Sequence, residues 1–192
     1  MVVAPSLVWM LAGGGGFDLP TDQPWAGAEL SAQPRGDMKV APTFRFGPAF
    51  GFGDRLPLAF TEIGLLVRIP EDEALLRAGL VLRDTFVMGR YRMPIQAGDP
   101  TQGNAFGLLP GILAVVEFEW TPEAPLVFAL RGGPVSTASD YTCDLDNPDP
   151  AHCITWSGGF GGGLLIRKTL RSGLVIEASA GTTAWLTVGH TL

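Results

Sequence analysis

Lysine is almost missing from this chain: Lys39 and Lys168 stand alone, and histidine and cysteine are each present only twice. Charged residues make up 17% of the 192 positions, against roughly 25% in typical soluble domains. Net charge is −6, and thirteen Lys+Arg residues scattered through an acidic chain form no basic stripe to displace phosphate counterions. No nucleic-acid partner is expected. Apolar runs are also short. The longest charge-free apolar opening, Val2 to Ala12, falls well below the roughly 20 residues of a membrane-spanning helix. Glycine, by contrast, is abundant with 26 residues, and 46% of the chain is apolar. That hydrophobicity excludes a wholly disordered chain, and the length suits one domain. No composition shift marks a second.

The opening segment Val2 to Ala12, followed by Gly13-Gly14-Gly15-Gly16, has the length of a signal-peptide h-region but lacks a positive n-region. Residues 1–24 are read as a leader and linker, with a signal remnant or an N-terminal strand as the two alternatives. Cys143 and Cys153 lie close together in a polar segment, which reads as a disulfide and so as an oxidising compartment. With His152 they fall short of the four ligands of a structural zinc site.

Helical stripes are hard to find, whereas period-2 alternation is plentiful. Leu108, Pro110, Ile112, Ala114, Val116, Phe118 and Trp120 share one face, opposite Gly111, Glu117 and Glu119. Near the end, Leu174, Ile176, Ala178, Ala180, Ala184, Leu186 and Val188 face away from Glu177, Ser179, Thr183 and Thr187. Successive strand side chains point to opposite faces, so each segment has one greasy wall and one polar or small wall. Gly, Pro, Asp and Ser clusters divide the chain into eight segments, about 25–33, 38–47, 57–69, 74–89, 105–120, 125–138, 154–169 and 173–190. Several exceed the usual five or six residues of soluble strands.

With the greasier wall outward, the opposite wall collects Glu29, Lys39, Arg45, Glu62, Arg68, Arg77, Arg83, Glu117, Glu119, Arg131, Arg167 and Glu177. Arginine and glutamate pair bidentately, which suits a confined polar interior. Asp84 breaks the pattern by falling on the outward wall, and a bulge or strand end is expected there. The fold class that follows is all-β, an eight-stranded antiparallel up-and-down transmembrane barrel over residues 25–192. Closure leaves no backbone edge to lipid.

The polar wall, the glycine-rich strand Gly158-Gly159-Phe160-Gly161-Gly162-Gly163 and the alternating final strand Ala184 to Leu192 resemble the small eight-stranded outer-membrane barrels of OmpA/OmpX-like architecture. Family members usually end on an aromatic residue; Leu192 stands here instead. The resemblance implies a bacterial outer-membrane location, contact with the lipid bilayer and with the barrel-insertion machinery, and a monomer. That family places short turns on the periplasmic side and long loops outside. Counting eight strands back from a periplasmic C-terminus gives the reverse. An inverted barrel, a missing strand or a miscount would each account for it.

No catalytic, cofactor or metal site is expected. The glycine runs lack the following Lys-Ser/Thr of a phosphate loop, and strand glycines more often permit close backbone approach. Asp140, Asp144, Asp146 and Asp149 lack the Gly and distal Glu of an EF-hand. Arg35-Gly36-Asp37 is a turn tripeptide. His190 has no nucleophile in a recognisable arrangement, so a lipid-hydrolysing enzyme is the weakest alternative. Trp9, Trp25, Trp120, Trp156 and Trp185 are expected mostly in aromatic girdles. The expected role is structural or interactive, with a lumen plugged by charge. The main alternative is a soluble, lipocalin-like barrel around a hydrophobic ligand, which would put the greasy wall inside.

Overall fold

The computed structural model describes residues 6–18, 23–35, 38–51, 55–70, 75–92, 102–120, 125–140, 155–181 and 183–192. They form ten antiparallel strands: β1 (Ser6–Asp18), β2 (Gln23–Arg35), β3 (Val40–Gly51), β4 (Arg55–Ile69), β5 (Leu75–Arg92), β6 (Gln102–Trp120), β7 (Leu126–Asp140), β8 (Thr155–Thr169), β9 (Leu174–Gly181) and β10 (Thr183–Thr191). Each strand pairs with its sequence neighbours, and β1 closes on β10. The chain is an all-β up-and-down barrel.

Two strands separate this barrel from the eight expected. Ser6–Asp18, assigned above to the leader, pairs along its length with β2 and β10. The segment 173–190 is a hairpin, with Trp185 opposite Ser179 and His190 opposite Leu174. Ten strands also remove the loop inversion. The start of β1, the end of β10 and the strand ends that flank the short connections after β2, β4, β6 and β8 now lie at one rim. The strand ends that flank the long connections, residues 93–101 and 141–154, lie at the opposite rim, together with those that flank the connections after β1, β3 and β9.

Registers show how strongly the strands tilt. The paired row Gly159, Val135, Gly111, Arg83, Glu62, Arg45, Ser31, Met10, Thr191 begins high on β8 and ends at the foot of β10. Such stagger corresponds to a tilt of about 40°. Close approach is permitted by glycine: a Cβ on Gly79 would collide with the Leu65 carbonyl, and one on Gly163 with that of Ala180. The β8–β9 turn closes with the Gly173 amide donating to Leu170 O at 3.0 Å, and Gly173 has φ of 86°, a conformation that favours glycine. Asp84 points outward, yet its register is unbroken from Thr61 to Pro110, so neither a bulge nor a strand end lies there.

Candidate functional site

The strand period of two decides which side chains meet inside. Glu29, Arg45, Glu62, Arg68, Arg77, Arg83, Glu117, Glu119, Arg131, Arg167 and Glu177 occupy the inward parity of β2 to β9, and most are buried. Lys39 lies exposed at the short-turn rim.

Two ion-pair groups occupy the lower and middle lumen. Near the short-turn rim, Arg77 is fully buried and its Nη1 donates to Glu117 Oε1 and Glu119 Oε2, both at 2.8 Å. Farther up, Arg45 makes a fork on Glu29, with Nε to Oε1 at 2.9 Å and Nη2 to Oε2 at 2.7 Å. The same Nη2 reaches Glu177 Oε1 at 2.6 Å, joining β3 to β9 across the barrel. Glu177 also accepts from Arg167 Nε at 2.8 Å and Nη2 at 2.5 Å, and Arg167 Nη1 donates to Gln33 Oε1. Glu62 sits among three cations: Arg131 at 2.8 Å, Arg83 at 3.5 Å and Arg45 at 3.9 Å. Glu29, Glu62, Glu117, Glu119 and Glu177 each meet at least one arginine. Buried charges persist only when paired and hydrogen-bonded, and this arrangement provides that pairing.

Apolar side chains flank the charges. Ala41, Leu66, Val81, Leu113 and Val115 pack on the inner side of β3 to β6, and Met10, Ala12 and Val175 on that of β1 and β9. A cavity of about 20 Å³, lined among others by Arg45, Glu62, Glu117, Arg131 and Arg167, remains between them. That is room for about one water molecule and for no solute.

The outer wall is the converse. Ile63, Leu65, Leu80, Leu82, Ile112, Val116, Leu130, Leu164, Leu186 and Val188 stand between 45% and 63% exposed. Towards the short-turn rim, Trp9 lies 6.2 Å from Phe44, ring centroid to centroid, over the buried Ala32, and Trp120 is 58% exposed. Trp25 departs from the girdle expected for it: it points inward and is 5% exposed, and Trp185 follows the same inward parity as Glu177. Trp156 has its side chain outside the described residues.

His190 has Nδ1 2.6 Å from Thr191 O and Nε2 2.9 Å from Ser172 O. Both ring nitrogens are thus engaged by backbone carbonyls. The ring ties the end of β10 to the β8–β9 turn. Cys143, Cys153, His152 and the aspartates at 144, 146 and 149 lie outside the described residues. Gln33 was not singled out above, though it shares the parity of Glu29 and so belonged to the same wall. Phe60, which stacks under Arg83 with the guanidinium carbon 5.5 Å from its ring centroid, was also passed over. It shares the parity of Glu62. Compared with family models, with curated proteins and with solved structures, the chain shows no match.

Proposed function

We propose that this chain is a monomeric barrel of the bacterial outer membrane, held rigid by its internal ion pairs, with a structural or interaction role carried by the long connections. The carrying observation is the continuous wall of exposed aliphatic side chains around a charged lumen. Such a wall in water would be a patch far larger than monomeric soluble proteins expose. Against acyl chains it costs nothing, and closure satisfies the backbone. The wall also has the right height. From Trp120 and Phe118 up to Phe86 and Phe160, the tilted strands rise roughly 20–25 Å, close to the apolar band of such barrels. Short turns beside the chain ends and long connections opposite match the asymmetry of the outer-membrane class. Its β10 is then the strand offered to the insertion machinery. The Cys143 and Cys153 pair, on a long connection, is read as a disulfide formed in the periplasm.

The lumen is read as closed to the passage of solutes. Arg45, Glu29 and Glu177 meet across it. Expression with a secretion signal, followed by membrane fractionation, tests the placement. Recovery in the outer-membrane fraction, extractable only with detergent and shifting in gel mobility on boiling, supports it. A monodisperse product in buffer without detergent would instead favour the soluble ligand-binding barrel.

A further inference from the structure

Above the ion pairs the lumen changes character. Among the described residues its inner wall there is largely glycine, including Gly14, Gly27, Gly111, Gly133 and Gly163, which bring no side chain into it. Among these stand Phe60, Thr85, Val135 and Trp185, all half-buried, with Trp25 and Leu109 packed more tightly. Arg83, at the lower edge of this region, has its side chain 38% exposed.

The charge presented to that space is positive. Arg83 is the most accessible member of the layer and Arg131 follows at 18%, while the carboxylates of Glu29, Glu62 and Glu177 lie beneath at 3–6%. Among the described residues, the Arg83 guanidinium makes one hydrogen bond, Nε to Thr85 Oγ1 at 3.3 Å. Its ion pair with Glu62 is 3.5 Å long, and its flat face rests over Phe60. A guanidinium has five donors in a planar fork that fits carboxylate and phosphate oxygens. Here the fork is held by stacking and left mostly unspent. The Arg131 Nε, buried nearby, has no hydrogen-bond partner.

We propose that the upper lumen is a binding cup for an acidic amphiphile, whose carboxylate or phosphate group sits on Arg83 and whose apolar part packs against Phe60, Val135 and Trp185. Access is easiest over β9 and β10, the shortest strands at eight and nine residues, which rise only about 20 Å above the lower rim. An apolar tail leaves the cup there. The inference rests on the lumen geometry and holds in detergent, independently of where the barrel resides in the cell.

The full chain, purified in a non-ionic detergent, is titrated with sodium decanoate, with decanol and with inorganic phosphate, following the fluorescence of Trp25 and Trp185 in a variant that retains only those tryptophans. Decanoate should saturate the signal, decanol should bind at least tenfold more weakly, and Arg83→Gln should weaken decanoate by about 10- to 100-fold, the worth of one charged hydrogen bond. Displacement of decanoate by phosphate identifies the oxyanion as the shared element. Phosphate binding as tight as decanoate overturns the apolar half of the proposal. Absence of saturation by decanoate, or an unchanged affinity in Arg83→Gln, overturns the whole. Thermal unfolding establishes that the variant is folded; if it is not, Arg83→Lys, which keeps the charge but loses the planar fork, should still weaken decanoate relative to wild type, and equal binding counts against the site.

Discussion

Leu80→Arg separates a lipid-facing wall from a water-facing one more sharply than any deletion. Leu80 lies on the outward face of β5, 59% exposed, paired with Leu65 on one side and Ala114 on the other. It stands five residues above the start of β5 and four below Asp84, near the middle of the apolar band. No lumen contact is lost when it changes. In water, an exposed leucine replaced by arginine alters stability by about 0.5 kcal/mol or less. At the midplane of a bilayer the same change costs about 2–4 kcal/mol on a barrel wall. The folded-to-unfolded ratio then falls by about 30- to 700-fold. Guanidinium unfolding in phospholipid vesicles, read by tryptophan emission, measures the difference directly. A shift inside 0.5 kcal/mol in vesicles would refute the assignment of this wall to hydrocarbon.

Three further outcomes follow from the same geometry. Glu62→Ala should destabilise the barrel by about 3–5 kcal/mol in thermal or denaturant unfolding, because Arg45, Arg83 and Arg131 lose the carboxylate they share. Planar-bilayer recordings of the wild type should show no stepwise conductance, since the lumen is bridged by Arg45, Glu29 and Glu177. Gly163→Val should fail to reach the folded, heat-modifiable form on gels, because its Cβ would meet the Ala180 carbonyl of the adjacent strand.

Much of this architecture is visible in the residue order, and the misses have physical causes. The sorting of side chains into two walls needs only the strand period, so the parity of Arg45, Glu62, Arg77, Glu117 and Glu177 is fixed wherever the strand ends fall. Strand β1 is hidden for the opposite reason. Gly13 to Gly16 put glycine on both faces, and the apolar run before them mimics a signal sequence. The split between β9 and β10 is concealed more subtly. Ala178 pairs with Leu186, and Ile176 with Val188, so even-numbered residues face outward on both strands. The alternation runs through the turn unbroken, and a hairpin reads like one long strand. Length gives no warning either, because β5 and β6 are themselves single strands of 18 and 19 residues. Once that strand is divided and β1 is added, the loop asymmetry follows without further assumption. Trp25 and Trp185 were misplaced because tryptophan identity was weighed above parity, although they share the faces of Glu29 and Glu177. What alternation could not supply is which arginine meets which glutamate, because those partners lie on strands far apart in sequence and are brought together by tilt and closure.

Quenching by brominated phospholipids tests most directly which wall meets the membrane. Two single-tryptophan variants are compared in vesicles, one retaining Trp120 and the other Trp25. The account predicts strong loss of Trp120 emission with bromines placed near the headgroup end of the acyl chain, and emission from Trp25 that is nearly unchanged. Strong quenching of Trp25 with Trp120 unaffected would contradict it.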